Sequence, residues 1–272
     1  MVAWRAGERA GACLDRLARV APDARRVLVD CESDPAALTA LLLGRGAIEP
    51  LPLPENRGFA GGANAGLERA FGMGASHAVL LNDDVLVEPG CIDALAAGAG
   101  ETGAASPRID GPPGVAFAGA ELELKRGFGR HVDGGLDYLT GACICFSRSA
   151  WEIVGPFDES LFLYYEDVDW SLRARAKDVP LTVVQAARAS HAGGSSSGGE
   201  EGETWAYYST RNRLWLLEQQ RGTSQARREA ARTSLRARVR AVRSSRRPVA
   251  LAKLAGVRDW SERRMGRGPW PA

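Results

Sequence analysis

Three places in this chain put acidic side chains where a phosphorylated ligand can be handled. The apolar run Val27-Leu28-Val29 ends in Asp30, and the apolar run Ala78-Val79-Leu80-Leu81 leads into Asn82-Asp83-Asp84. A diphosphate is anionic, so a carboxylate such as Asp84 makes electrostatic sense beside one only with a divalent cation, Mn²⁺ or Mg²⁺, between them. The same triplet taken alone also reads as a polar turn that caps a helix. The third place is Phe157 to Trp170, in which aromatic residues surround Asp158, Glu159, Glu166, Asp167 and Asp169. Carboxylates against aromatic walls suit sugar binding and proton abstraction, and an Asp at a helix start can stay unprotonated as a general base. Glu166 and Asp167 could equally do no more than complement the helix dipole.

Two further segments bear on ligand binding. Asn56-Arg57-Gly58-Phe59-Ala60-Gly61-Gly62-Ala63-Asn64-Ala65-Gly66 is rich enough in glycine for backbone to approach a ligand closely. It lacks the G-x-G-x-x-G spacing, because position 63 is Ala, and it lacks the lysine and hydroxyl of a phosphate-binding P-loop. His191 follows the strand candidate Leu181 to Val184, and a neutral imidazole is a competent ligand for Mn²⁺-type ions, although a lone histidine is more often structural. His77 and His131 have no acidic company in sequence and read as ordinary surface or core residues.

The elements that must position these groups alternate. Strand candidates at Val27–Val29, Ala78–Leu81, Tyr138–Ser147 and Leu181–Val184 are interleaved with helix candidates at Ala36–Leu43, Leu67–Phe71, Glu166–Ala176 and Trp205–Gln220. Cys31-Glu32-Ser33-Asp34-Pro35 stops one strand and caps the next helix. Such alternation predicts an α/β fold with a mostly parallel central sheet flanked by helices, in which ligands bind outside the carboxyl ends of the strands. Asp30 and Asp84 both fall there. Gly193 to Gly199, a glycine-serine run, reads as a mobile loop.

At 272 residues with ordinary apolar and charged fractions, the chain can bury a substantial core, which excludes intrinsic disorder. No run approaches the roughly 18 apolar residues of a membrane span, and no extended apolar signal segment follows Met1, so a cytoplasmic location is expected. Cys13, Cys31, Cys91, Cys143 and Cys145 lack paired C-x-x-C spacing and read as reduced, structural thiols. Net charge is +2, but the distribution is uneven: residues 221–272 hold 15 Arg or Lys and three acids, against 20 and 30 in residues 1–220. The division expected is therefore a core domain, 1–220, and a basic helical C-terminal extension, 221–272. Arg alternates there with Ala, Leu and Val, the pattern of an amphipathic helix pair that seeks an anionic membrane surface, caps the core or forms an oligomer contact. The core lacks a basic groove, so no nucleic-acid partner is expected.

Taken in order, these segments resemble the family 2 glycosyltransferases of GT-A fold, with a Rossmann-like mixed sheet, and in particular the branch of rhamnosyl- and galactofuranosyl-type transferases. The resemblance runs from about Val27 to Leu217. It rests on Val29-Asp30-Cys31-Glu32-Ser33, Asn56 to Gly62 with Asn64, Leu81-Asn82-Asp83-Asp84-Val85, Leu139-Thr140-Gly141-Ala142, Gly155-Pro156-Phe157-Asp158-Glu159, Tyr165-Glu166-Asp167-Val168-Asp169, His191 and Arg211-Asn212. The resemblance implies that Asp30, with Ser33, binds the nucleotide base, and that Gly58, Phe59, Gly61, Gly62 and Asn64 line the nucleotide-sugar site as a loop. It puts Asn82-Asp83-Asp84 at the family's D-x-D position, with Asp84 the metal ligand, Asp83 on ribose or water, and His191 a second metal ligand. Thr140 and Gly141 approach the transferred sugar, Arg211 belongs to the donor site, and the glycine-serine run folds over the donor. Asp167, with Glu166, matches the catalytic base of the family's E-D motif. Cys31 and Glu32 stand where relatives carry an Asn-containing turn, and Asn82 where they carry Asp.

The reaction so implied is an inverting single displacement that moves a sugar from a UDP- or dTDP-linked donor to a hydroxyl of a glycan, glycolipid or small-molecule acceptor. The enzyme would be cytoplasmic, or peripheral at the inner membrane face through residues 221–272. A sugar-phosphate nucleotidyltransferase would share the fold and acidic metal ligands but uses a glycine-rich basic N-terminal loop that this sequence lacks. A non-catalytic nucleotide- or carbohydrate-binding homologue would retain donor binding without turnover.

Overall fold

The computed structural model describes residues 1–5, 7–110, 116–117, 120–123, 125–131, 136–191, 202–242 and 246–270. The glycine-serine run falls outside these. Strands β1 (Val2–Trp4), β2 (Arg26–Cys31) and β3 (Ile48–Leu53) pair in parallel in the order β1-β2-β3, with Val2 opposite Val29 and Arg26 opposite Ile48. A parallel bridge from Val2 to Asn82 joins this ladder to β4 (His77–Leu81). The sheet continues β4-β10-β6-β11-β5, where β5 is Val85–Val87, β6 Ala104–Asp110, β10 Cys143–Ser147 and β11 Leu181–His191. β10 runs antiparallel to both neighbours, and β5 antiparallel to β11. β7 (Ala116–Phe117) extends β6, and β8 (Ala120–Glu123) pairs with β9 (Phe128–His131) as a separate hairpin. The predicted mixed, mostly parallel α/β sheet is therefore present. The strand expected from Tyr138 is shorter, beginning at Cys143, while the strand at Leu181 runs on to His191.

Both faces of the sheet are covered, which is why its strands read as continuous apolar runs. In β10, Ile144 and Phe146 join the cluster made by β4 with α3 (Gly58–Gly72), α5 (Arg148–Val154) and α6 (Glu166–Ala176), whereas Cys143 and Cys145 pack on the other face with α1 (Glu8–Val20) and α4 (Cys91–Ala99). All five cysteines are buried free thiols, and burial pushes Cys143 well above the ordinary thiol range. On the first face Phe146 meets Trp170 edge-on at 4.8 Å, and Trp170 Nε1 donates to the Gly155 carbonyl at 2.9 Å. Helix α2 (Pro35–Leu42) starts where the sequence predicts, with Asp34 accepting from the amides of Ala36 and Ala37 and Pro35 in the first turn.

The basic extension is packed rather than free. Helices α7 (Glu203–Arg221), α8 (Thr223–Ala241) and α9 (Arg247–Ser261) contact one another, and α9 crosses α7 so closely that a Cβ on Gly256 would stand 2.6 Å from the Tyr207 carbonyl. Acids inside the bundle take up part of the tail's charge. Asp259 accepts from Tyr207 Oη at 2.6 Å and pairs with Arg264, while Glu218 binds Arg263 and Trp260 Nε1. The end of the chain then returns to the core. The Gly266 amide donates to Ser160 O at 2.6 Å, Trp270 stacks on Tyr207, and Arg267 pairs with Glu32 at 3.0 Å, beside the end of β2.

Candidate active site

The carboxyl ends of the strands converge through backbone contacts. Val2 pairs with Val29 on one side and bridges Asn82 on the other, which sets the end of β2, with Asp30, near the Asn82-Asp83-Asp84 turn between β4 and β5. The Asn82 amide donates to Ala142 O at 3.1 Å, bringing the Thr140-Gly141-Ala142 segment alongside. The Gly141 amide in turn donates to Asp167 Oδ2 at 2.7 Å. From the far side, the β11–β5 ladder sets His191 opposite Val85, the residue after Asp84. Six sequence segments thereby meet at one end of the sheet.

Asp167 sits half-buried in the first turn of α6, where the helix dipole favours an anion, and accepts from the amides of Gly141 and Val168. Burial nonetheless raises its carboxyl above the ordinary aspartate value, with the amide bonds opposing the shift. Glu166 is different: only 5% exposed, with Oε2 lacking a hydrogen-bond partner, it is held well above the ordinary range by burial and by the neighbouring Asp167 charge. The pair read together in the sequence therefore splits into a presented carboxylate and a buried carboxyl, and the catalytic role expected of Glu166 does not fit its burial. Half-buried Thr140 adjoins Gly141, and a Cβ at Gly141 would stand 3.3 Å from Asp167 Oδ2 and 3.5 Å from Phe59 Cε1. Phe59, Gly141 and Asp167 thus form one wall.

Asp30 is 3% exposed and receives a short hydrogen bond from Ser33 Oγ. Asp83 is also buried, and Arg9 of α1 lies 3.9 Å from its Oδ2. Asn82 Oδ1 is buried without a hydrogen-bond partner.

Three expectations are corrected. The glycine-rich segment is not a loop: Gly58 opens α3, and Gly61, Gly62 and Asn64 lie buried in its first turns. Their small size serves packing. A Cβ on Gly58 would meet the Phe162 carbonyl at 2.2 Å, one on Gly61 would meet Arg57 Cβ at 2.4 Å, and one on Gly62 would meet Val2 Cγ1 at 2.8 Å. Asn64 spends its amide within the protein, donating to Phe157 O and Glu159 Oε1 and accepting from the Phe157 amide. Arg211 is fully buried and donates to Asn212 Oδ1, Gly266 O and Leu161 O, so it faces no donor pocket.

Those buried residues have a different task. Phe162, Tyr164 and Tyr165 all adopt positive φ (64°, 67° and 73°), a conformation costly for bulky side chains, directly before Glu166 and Asp167. Asn212 Nδ2 lies 2.8–2.9 Å from the carbonyls of Leu161, Leu163 and Tyr164, and the Ala60 amide donates to Phe162 O. Asn212 is the residue whose role the sequence concealed: it was visible beside Arg211 but had no chemistry to betray it. Ser171, whose Oγ accepts from the Leu139 amide and so ties the Thr140 segment to α6, was concealed likewise.

No protein-family model matches the chain. In sequence it is 34% identical over 150 residues to an uncharacterized protein of Mycobacterium tuberculosis, covering 51% of this chain and 55% of that one. It is 28% identical over 150 residues to the low-salt glycan biosynthesis hexosyltransferase Agl10 of Haloferax volcanii, covering 50% of this chain and 49% of that enzyme. It is 34% identical over 119 residues to the N-acetylglucosaminyl-diphospho-decaprenol L-rhamnosyltransferase of M. tuberculosis, covering 34% and 38%. The chain spans about half the length of the first of these relatives, 55%, and less of the others. Among solved structures it superposes on residues 1–349 of S. aureus TarS in complex with UDP-GlcNAc (TM-score 0.53, 15% identity, 95% of this chain and 80% of that one). It also superposes on GalNAc-T7 crystallised with UDP, GalNAc and Mn²⁺ (TM-score 0.52, 15% identity, 69% and 42%).

The fold is that of the GT-A glycosyltransferases. The cation that the sequence resemblance implies would sit at the Asn82-Asp83-Asp84 turn. Among the described residues no group of three His, Cys, Asp or Glu side chains converges as a self-sufficient metal cage. The buried Asn82 Oδ1, without a hydrogen-bond partner, is the observation at this turn that would suit a cation.

Proposed function

We propose that this chain is an inverting glycosyltransferase of the family 2 type, which moves a sugar from a nucleoside-diphosphate sugar to an acceptor hydroxyl. The observation that carries the reading is Asp167: a half-buried carboxylate at a helix start, bonded to the Gly141 amide, at the sheet end that also bears Asn82-Asp83-Asp84. Kinship to a named hexosyltransferase and a named rhamnosyltransferase supports sugar transfer, and the structural likeness to proteins solved with UDP or UDP-GlcNAc supports a nucleotide-linked donor, UDP or dTDP.

In this reading Asp30 and Ser33 bind the base, while Thr140, Gly141 and Phe59 border the transferred sugar. Asp84, with His191 as the second ligand that the resemblance implies, would hold Mn²⁺ or Mg²⁺, which when bound would neutralise charge on the departing nucleoside diphosphate. Asp167 takes the proton from the acceptor hydroxyl as it attacks the anomeric carbon from the face opposite the leaving group, so the configuration inverts. Burial raises its carboxyl above the ordinary aspartate value, which makes the carboxylate a stronger base.

The acceptor in this reading is a glycan, glycolipid or small molecule, and residues 221–272 are the segment that would meet an anionic membrane surface. No helix among the described residues is long and apolar enough to cross a membrane. Along α8 and its C-cap, however, Leu235, Val239 and Val242 are 65%, 66% and 87% exposed in one stripe between arginines, which supports peripheral docking at the inner face. The test is turnover of a nucleotide-sugar panel followed by NMR: a product of inverted anomeric configuration, lost in Asp167→Asn, supports the reading. Retention of configuration, or undiminished turnover by Asp167→Asn, would refute it.

A further inference from the structure

Tyr165, two residues before Asp167, also lines a cavity of about 750 Å³ walled by α7, α8, α9 and β9. Its lining carries Arg213, Arg236, Arg240, Arg246 and Lys253 against a single acid, Glu229. Glu229 pairs with Arg213 alone among them, because its 1%-exposed carboxylate is otherwise ringed by Arg126 and Arg232, all three at 3.4–3.5 Å. Among the described residues no side-chain hydrogen bond or ion pair engages Arg236, Arg240 or Arg246, and Lys253 has the Trp205 ring at 5.7 Å. Burial, with repulsion from Arg240 and Arg213, holds the Lys253 ammonium below the ordinary lysine range. Cations gathered this way repel one another, a cost that a bound anion reverses.

The cavity is built for more than charge. Ser209, Thr210 and Thr233 line the same space as the arginines, with Thr233 Oγ1 accepting from Arg213 Nη2 at 3.0 Å, and guanidinium forks beside hydroxyl-bearing residues suit phosphate oxygens. The helix that contributes Arg236 and Arg240 also carries, with its C-cap, the exposed apolar stripe of Leu235, Val239 and Val242. Tyr165 Oη donates to Gly127 O at 3.0 Å, which fixes the ring between this cavity and the backbone that leads to Asp167.

We propose that this cavity binds the phosphate or diphosphate of a lipid-linked acceptor, with the lipid leaving along the α8 stripe and the acceptor's sugar hydroxyl directed past Tyr165 to Asp167. The inference rests on the glycosyltransferase reading and adds an acceptor subsite separate from the donor's own diphosphate at Asn82–Asp84. The experiment is calorimetric titration of the full chain, in chelator, with inorganic pyrophosphate and with geranylgeranyl diphosphate, alongside UDP with Mn²⁺. Both diphosphates bind, the prenylated one more tightly. Arg236→Gln/Arg240→Gln, which changes two exposed side chains, weakens both by about tenfold or more and leaves UDP affinity unchanged. Leu235→Ser/Val239→Ser weakens only the prenylated ligand. Pyrophosphate that fails to bind, or that binds the arginine variant equally well, overturns the subsite. Sedimentation with phosphatidylglycerol vesicles that depends on both arginines, without pyrophosphate binding, overturns it in favour of a bilayer contact, and a single-stranded oligonucleotide bound in preference to both diphosphates overturns it in favour of nucleic acid. Failure of UDP to bind counts against the donor assignment alone, since pyrophosphate in chelator is scored separately.

Discussion

Arg211 donates from Nε to Oδ1 of Asn212 at 2.9 Å, and this one bond fixes which way the Asn212 amide faces. With its oxygen occupied, Asn212 can only aim Nδ2 at the carbonyls of Leu161, Leu163 and Tyr164, the segment held at positive φ before the candidate base. The buried arginine therefore acts on Asp167 through two intermediaries, as a positioning residue.

Asn212→Asp replaces a donor by an acceptor facing three carbonyl oxygens. Such a buried mismatch costs about 2–4 kcal/mol of stability, and release of the strained segment should lower kcat by roughly 10–100-fold. Thermal unfolding with steady-state kinetics checks this. Donor affinity measured by titration should change little, because Asn212 touches the loop and not the strand ends.

Gly58→Ala tests the other side of that segment. The new Cβ would lie 2.2 Å from Phe162 O in a residue with φ of +71°, so either α3 or the strained segment must move. A fall in Tm of roughly 5–10 °C is expected from differential scanning calorimetry. Gly72→Ala, at a position with nothing within 4 Å, is the matched control and should leave Tm nearly unchanged.

Glu166→Gln separates the two acids of the motif. The Glu166 carboxyl is raised in the folded state, so folding favours its protonated form; that contribution is full below the unfolded value of 4.5 and is lost as pH rises through the folded value. Glutamine is neutral throughout. The Tm difference, variant minus wild type, should therefore widen in favour of the glutamine variant as pH rises above the unfolded value of 4.5. A difference independent of pH would mean that Glu166 is ionised in the folded protein.

Asp167 should show itself in rate. Because its folded-state value is raised, the acidic limb of the kcat/KM profile should lie above the ordinary aspartate range, with activity falling as pH drops through it. Asp167→Asn should abolish that limb and reduce kcat by about 10²–10⁴-fold while leaving donor binding intact.

The strand ends and α6 were legible because their signals are local: apolar runs that stop at carboxylates, and an acidic first turn followed by a helix. α6 spans Glu166–Ala176, as periodicity predicts. The glycine-rich segment was misread for a physical reason. Glycine marks a turn by its backbone freedom, which Gly58 does use at φ +71°, but Gly58 and Gly62 are also needed for lack of a side chain, and the groups that demand this, Phe162 and Val2, lie far away in sequence. Arg211 and Asn64 look like ligand-binding polar residues until their partners at Leu161, Gly266, Phe157 and Glu159 are known. The basic tail was legible as charge but not as architecture, because Asp259 and Glu218 consume part of it inside the helical bundle while Arg236 and Arg240 turn to a cavity.

The most direct test of the central claim is calorimetric titration of UDP- and dTDP-sugars with Mn²⁺, with Mg²⁺ and with chelator, on the wild type and on Asp84→Ala. One donor should bind, chelator should abolish or strongly weaken its binding, and Asp84→Ala should remove the difference between metal and chelator. Donor affinity that is the same with and without metal in the wild type, or that Asp84→Ala leaves untouched, would contradict the metal-assisted transferase.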